Sequence, residues 1–230
     1  GVSPDVFSDY GHRDQTRRQH LAEWTRTLGS RSFDRAAFRA LTNWLTPLAQ
    51  NVTALARLIA VALEELRNRR ILLPPPVVVE TMVSQARMRA ERIIHCALTN
   101  GLSEYHRLAL DGLLARRSDG ITWIAWLRGV PQAPTARNML ALIERLRVVR
   151  EMGLDREREL AVPAHAFDRL ADEGCKMTAQ HLGELIPRRR YAVLAATTIR
   201  LESALTDATL AMFDKLMGML ARGAERRTEM

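Results

Sequence analysis

The sequence predicts an all-α protein of about ten helices in two or more helical subdomains, one of which includes a helix-turn-helix-like unit. Apolar residues recur at intervals of three and four along nearly all of the 230 residues, and no segment alternates as a half-buried strand does. Gly and Pro separate these segments, and Ser, Thr or Asp precedes several of them, as N-cap residues do. No repeat of fixed period occurs, which argues against a solenoid.

Three helices are expected in the first third of the chain. The first spans roughly residues 12 to 28, where apolar residues recur at helical spacing. The second begins after Asp34, whose side chain can cap it, and Pro47 is expected to kink or split it. The third ends at the charged residues 67 to 70.

A proline run follows these helices. The segment LLPPPVV, residues 72 to 78, is not expected to be helical through its prolines and gives the clearest boundary in the chain. We therefore expect one helical DNA-binding subdomain over residues 1 to 73 and a second over residues 77 to 230. A division shortly after residue 100 is the alternative.

The rest of the chain reads as a series of capped helices. A long helix closes near residue 100, and a short helix after Thr122 precedes a longer one capped by Thr135. Gly174 is expected to end a helix, and Asp207 is expected to begin the last one. Further starts are expected at Ser103, Pro163, Thr178 and Pro187. Positions expected on buried faces include Val79, Met82, Ala86, Ile93, Met139, Ile143 and Leu146.

The charge of the chain is basic and comes from arginine. The formal net charge is +8, and of the 34 basic residues only Lys176 and Lys215 are lysines, so 32 are arginines. The planar fork of arginine suits bidentate contacts with phosphates and base edges, which favours a nucleic-acid partner. The alternative is a GC-rich genome, in which arginine codons accumulate everywhere.

Several function classes find no support in the sequence. The longest apolar run is short and interrupted by Arg57, so no membrane span is expected. Cys96 and Cys175 stand far apart without metal-site spacing, and no catalytic or nucleotide-binding motif occurs. We expect no catalytic residue, metal, cofactor or small-molecule substrate in this chain, and a bacterial cytoplasmic, nucleoid-associated location. Because the chain opens at Gly1, it is expected to be a fragment.

The stretch YGHRDQTRRQHLAEW, residues 10 to 24, is the first candidate for polyanion binding. On a helical wheel its basic residues continue the apolar stripe towards Trp24, whereas an ordinary exposed helix keeps charges on the opposite face. This pattern favours phosphate contact. The alternative is that Asp9 or Asp14 pairs with these arginines on the surface. The predicted phosphate contacts here are Arg13, Arg17 and Arg18.

The segment from residue 121 to 146 has the proportions of a helix-turn-helix: a short helix, a Gly/Pro turn and a longer capped helix. Arginine can bind guanine bidentately, and Asn or Gln can bind adenine in the same way. The alternative is a plain helical hairpin whose Thr is only a cap. The predicted base-reading residues are Gln132, Thr135, Arg137 and Asn138.

The segment PRRRYAV, residues 187 to 193, carries three arginines at an expected helix start. Positive charge there opposes the helix dipole, and a bound anion would offset the cost. The alternative is a solvated charge run. The predicted phosphate contacts are Arg188, Arg189 and Arg190, together with Lys176 and Arg31.

Taken together, YGHRDQTRRQHLAEW, LGSRSFD, ITWIAWLRGVPQAPTARNMLALIERL, CKMTAQHLGEL, PRRRYAVLAA and LTDATLAMFDKLMGML occur in an order that resembles a known family. From about residue 9 to its end, the chain resembles the amino-terminal, DUF4158-like DNA-binding region of the replicative transposases of the bacterial Tn-three (class II) family. The resemblance implies recognition of double-stranded DNA at the terminal inverted repeats. It also implies that the catalytic RNase-H-like domain follows Met230.

The resemblance leaves a second interpretation open. The same region could be a helical dimerisation or assembly module of the transposase, without direct DNA readout, whose arginines pair with acidic partner surfaces. A homodimer formed through the full-length transposase is compatible with either interpretation.

Overall fold

The computed structural model describes residues 19, 20, 22, 23, 25 to 27 and 29 to 228, with side-chain exposures up to residue 222. The described residues form helices and two isolated β-bridges but no strand, which confirms the predicted all-α class. The helices that follow Asp34 in the described part are α1 (Arg35–Asn51), α2 (Leu55–Asn68), α3 (Pro76–Thr99), α4 (Glu104–Gly112), α5 (Trp123–Arg128), α6 (Ala136–Glu151), α7 (Glu157–Leu160), α8 (Ala164–Lys176), α9 (Ala179–Glu184) and α10 (Pro187–Thr228).

The chain divides into two compact units, Gly1–Glu91 and Arg92–Met230. The division falls within α3, whereas the sequence predicts it at the proline run. The reason is that the apolar face in the first half of α3 belongs to the core of the first unit. The prolines precede this helix, and Pro76 is its first residue, where a missing N–H is tolerated.

The first unit has a core built from α1, α2 and the first half of α3. Asp34 caps α1 by accepting a hydrogen bond from Ala37 N at 2.7 Å, as predicted. Phe33 and Phe38 pack edge to face across this cap, with ring centroids 6.3 Å apart. The buried apolar side chains are Leu41, Leu45, Leu58, Ala62, Leu66, Val79, Met82, Val83 and Ala86.

The prediction that Pro47 splits the second helix is wrong, because α1 continues through it to Asn51. Pro47 lies in the last turns of α1, so only a short stretch of helix follows the hydrogen bond it removes. The side chain of Asn51 donates to the Pro47 carbonyl at 3.3 Å in the last turn of α1.

The second unit is built around α10. Its residues 192 to 199 are all buried, so neighbours cover every face of this segment. α10 packs most extensively against α8 and α6. The small side chains in the sequence AVLAATTI allow these helices to approach closely.

Two predicted helix boundaries in this unit are wrong. Asp207 does not begin a helix, because α10 runs without a break from Pro187 to Thr228. Gly174 does not end one, because α8 continues to Lys176. Gly174 is instead buried where α8 meets α10, and a Cβ at this position would lie 1.8 Å from Thr197 Oγ1.

Most positions predicted on the buried faces of α3 and α6 face the core, but one position in each helix does not. In α3, Ile94 is buried and Ile93 is exposed. In α6, Leu142 is buried and Ile143 is exposed. Both segments have adjacent apolar residues, so helical spacing alone leaves the choice of the inward-facing residue open.

Arginines complete the hydrogen bonding at several helix ends in this unit. Arg128 donates to the carbonyls of Gly174 and Met177 at the end of α8. Arg158 donates to the carbonyl of Leu98 in the last turn of α3, at 3.1 Å. Carbonyls in a last helical turn lack partners within their own helix, and cations near them are favourable. Burial lowers the pKa of Arg128, because a positive charge is less favourable inside the protein than in water.

Replacing Gly174 by alanine is expected to lower the free energy of unfolding by about 1 to 3 kcal/mol, since the new methyl group overlaps Thr197 and forces α8 away from α10. Urea unfolding followed by circular dichroism measures the change. Gly112→Ala in α4 is the matched control, because nothing lies within 4 Å of its added Cβ. The account of α8–α10 packing is contradicted if the two variants have equal stability.

Candidate nucleic-acid interface

The segment from α5 to α6 forms a short helix, a seven-residue connection and a longer helix, in the predicted order. Arg145 in α6 donates from Nε to the carbonyl of Trp126 in α5 at 3.0 Å and thereby links the two helices. Leu127 and Leu142 anchor them in the core. The turn and the start of α6 lie towards solvent. This arrangement is compatible with a helix-turn-helix and also with a plain helical hairpin.

Three of the four predicted base-reading side chains are engaged in local hydrogen bonds. Thr135 caps α6 by accepting from Asn138 N at 3.2 Å. The Asn138 side chain donates to Ala133 O at 2.8 Å, and Gln132 donates to Val130 O at 3.3 Å. These bonds hold the turn in shape, so each side chain would have to release one of them to contact a base through the same atoms.

Arg137 differs from these three residues. It is exposed in the first turn of α6 and has no recorded hydrogen bond or ion pair with any residue that the structure describes. Its guanidinium group therefore keeps its donors available to a ligand. Among the predicted base readers it is the side chain best suited to a new contact.

The outward face of α6 contains a further exposed residue that is not among the predicted base readers. Leu140 lies one turn after Arg137 and is 67% exposed. Glu144 and Arg147 continue the same face at helical spacing, and both are exposed. The signal in the sequence was the spacing of three and four from Arg137, but the inward and outward faces could be assigned only from the structure.

The three arginines at the start of α10 have different environments. Arg188 is exposed without a recorded partner in the described chain. Arg189 pairs with Glu173 of α8 at 2.5 Å. Arg190 is half-buried and pairs with Asp111 at 3.3 Å. Arg189 and Arg190 thus connect α10 to its neighbours, and Arg188 remains for an external anion.

The other predicted phosphate contacts lie elsewhere. Lys176 is exposed at the last residue of α8. Arg31, in the first unit, is exposed and bonds through its backbone N–H to Arg70 O at 2.7 Å. Its side chain lines an open groove with Ser30 and Ser32. The remaining predicted contacts, Arg13, Arg17 and Arg18, lie outside the described residues.

The described residues lack the features of two other kinds of site. They contain no group of His, Cys, Asp and Glu side chains that could hold a metal ion. None of their helices is long and apolar enough to cross a membrane.

Comparisons with known proteins show one consistent similarity. A family model described as a domain of unknown function, DUF4158, matches residues 1 to 86. The chain is 35% identical over 227 residues to the transposase for transposon Tn21 of Escherichia coli and 36% identical over 227 residues to that for Tn501 of Pseudomonas aeruginosa. Nearly the whole chain is similar to one part of these Tn-three family transposases.

The match covers nearly all of the chain but a small part of each relative. For the Tn21 and Tn501 transposases it includes 98% of the chain and 23% of the relative. The transposase for transposon Tn1546 of Enterococcus faecium is more distant, at 24% identity over 233 residues. These matches support an amino-terminal region of a Tn-three family transposase.

Replacing Arg188 by glutamine in this transposase region is expected to weaken binding to all duplex DNA about equally. A plot of the logarithm of the binding constant against the logarithm of the salt concentration should become less steep by about 0.9, because one phosphate contact is lost. Arg189→Gln is the matched control, because Arg189 is paired with Glu173. This variant should leave the slope nearly unchanged. Fluorescence anisotropy across a salt series measures both slopes. Equal slopes for the two variants would contradict the assignment of Arg188.

Proposed function

We propose that the chain binds double-stranded DNA sequence-specifically at the terminal inverted repeats of a transposon. It does so as the non-catalytic amino-terminal part of a transposase that carries out replicative DNA transposition. The cleavage and strand-transfer chemistry belongs to a downstream catalytic domain, and this chain supplies recognition. Its place in the cell is then the bacterial nucleoid.

The observation that carries this proposal is Arg137 at the exposed start of α6. A recognition helix contacts base edges with residues near its amino end, and arginine binds the O6 and N7 atoms of guanine bidentately. Leu140 lies on the same face, where an apolar side chain can contact a thymine methyl group. The net charge of +8 supports attraction to the DNA backbone.

Replacing Arg137 by alanine is expected to relax discrimination at one base-pair position by about 1 to 3 kcal/mol, because one bidentate contact is lost. The free energy of unfolding should stay unchanged, since Arg137 has no recorded partner among the described residues. Competition binding with duplexes carrying the terminal inverted repeat, each changed at one position, measures the discrimination.

Arg150→Ala is the control for this experiment, because Arg150 lies in the last turn of α6 and pairs with Glu202 at 3.3 Å. It should leave the discrimination profile unchanged. If Arg137→Ala also leaves the profile unchanged while the chain still prefers the terminal repeat, α6 is not the recognition helix.

One observation favours the second candidate function, a dimerisation or assembly module of the transposase without direct DNA readout. Four apolar side chains near the end of α10 lie at spacings of three, four and three residues, as in the seam of a coiled coil. Each is between 48% and 67% exposed. A second copy of the chain could cover them. The four residues are Leu210, Phe213, Met217 and Leu220.

Sedimentation velocity distinguishes the two candidates. The DNA-binding proposal expects the chain and its Phe213→Glu variant to bind the terminal repeat with equal affinity, since Phe213 is far along α10 from Arg188. The assembly module expects a tight dimer that Phe213→Glu dissociates and that ignores DNA. A dimer without DNA affinity would contradict the first proposal.

A further inference from the structure

Two arginines converge on one tryptophan in the segment that leads into α5 and α6. The guanidinium carbon of Arg117 lies 4.0 Å from the ring centroid of Trp126, and that of Arg145 lies 4.6 Å from it. Arg117 also lies 4.9 Å from the ring centroid of Trp123. We call these four residues the Arg–Trp cluster. Its two cations stand within roughly one Debye length of each other, about 10 Å.

Neighbouring carboxylates balance the positive charge of this cluster only in part. Arg117 Nε lies 3.5 Å from a carboxylate oxygen of Asp119. Burial lowers the pKa of Arg145, the neighbouring charge of Arg117 lowers it further, and Glu144 raises it. Both carboxylates belong to exposed residues and are screened by solvent. Because arginine stays protonated despite such shifts, the cluster keeps two positive charges beside two screened negative ones.

The cluster also has hydrogen-bond donors without acceptors in the described chain. Arg145 uses Nε for Trp126 O and Nη1 for Ala141 O at 2.9 Å, and no bond is recorded for Nη2. Arg117 Nη1 is buried without a partner, although 21% of the side chain remains exposed. A buried donor without an acceptor is costly. A phosphate can reach the cluster at the exposed part of the Arg117 side chain, beside the covered Nη1.

We infer that the Arg–Trp cluster binds one backbone phosphate of double-stranded DNA through the free guanidinium donors of Arg117 and Arg145. The guanidinium fork matches the oxygens of a phosphate, and the indole rings hold both forks in fixed planes. This inference rests on the proposed DNA binding and adds residues that no sequence motif indicated.

The position of the cluster agrees with a phosphate contact. In a helix-turn-helix the first helix crosses the DNA backbone while the second enters the major groove. Trp126 lies in α5, the first helix of the α5–α6 pair. Arg145 follows Arg137 by eight residues on α6, about 12 Å along the helix axis. The cluster would fix the register of the protein on the backbone while Arg137 contacts bases.

The test compares Arg117→Gln with a matched control, Arg200→Gln. Arg200 also lies over an aromatic ring, that of Phe167, but pairs with Asp168 and Asp172 of α8. Anisotropy with a duplex carrying the terminal repeat is measured over a salt series. Arg117→Gln should weaken binding about tenfold and lower the salt slope by about 0.9, whereas Arg200→Gln should leave the slope unchanged.

A second variant makes the surroundings of the cluster more positive without altering either arginine. Asp119→Asn removes the carboxylate beside Arg117, and the amide oxygen can still accept the hydrogen bond from Ile121 N, now 3.1 Å long. DNA affinity should rise about threefold because the cluster becomes more positive. Asp172→Asn removes a carboxylate beside Arg200 and should change the affinity less. A purely structural cluster would show no such difference.

The outcomes separate this inference from the proposed function. Equal slopes for Arg117→Gln and Arg200→Gln overturn the phosphate site, while binding of the terminal repeat by the unaltered chain keeps the proposed function standing. If Arg117→Gln does not fold, as judged by circular dichroism, Asp119→Asn decides, and an affinity equal to that of Asp172→Asn overturns the inference. An unaltered chain that binds no duplex overturns both proposals.

Discussion

The structure of the second unit depends on the burial of α10 over residues 192 to 199. Every residue in this stretch is at most 1% exposed, and a helix of this kind is stable only when its neighbours cover all its faces. α8 approaches closely because Gly174 has no side chain to collide with Thr197. α6 covers another side of α10. Its side chains Leu142 and Val149 are buried, and its first turn faces solvent. The exposure of Arg137 is therefore a consequence of how α10 is covered.

The arginine excess has two roles that composition alone cannot separate. Some arginines bond helix-end carbonyls or join helices, as Arg128, Arg158 and Arg190 do. These side chains stabilise the fold and use some of their donors within the protein. Others, such as Arg137 and Arg188, have no recorded partner in the described residues. The basic charge offered to a ligand is thus smaller than the composition suggests, and it is concentrated at fewer positions.

Local sequence signals predicted the helical class and most helix starts, because caps and prolines act within one turn. The Asp34, Ser103, Thr135 and Thr178 caps are all present. The continuity of α10 through Asp207 and the position of Gly174 inside α8 depend on packing between distant segments, which periodicity does not record. At the candidate site the helical order around α6 was predictable. The Arg–Trp cluster was not, because its members are brought together by the turn after Arg117 and by the packing of α5 on α6.

The roles proposed for α6 and the Arg–Trp cluster depend on the recognition of transposon ends by sequence. Nuclease footprinting of the chain tests it most directly, on a duplex carrying the terminal inverted repeat of its own transposon and on one of the same composition in shuffled order. At near-physiological salt the account predicts a bounded protected region within the terminal repeat and none on the shuffled duplex. Equal protection of both duplexes, or of neither, would contradict it.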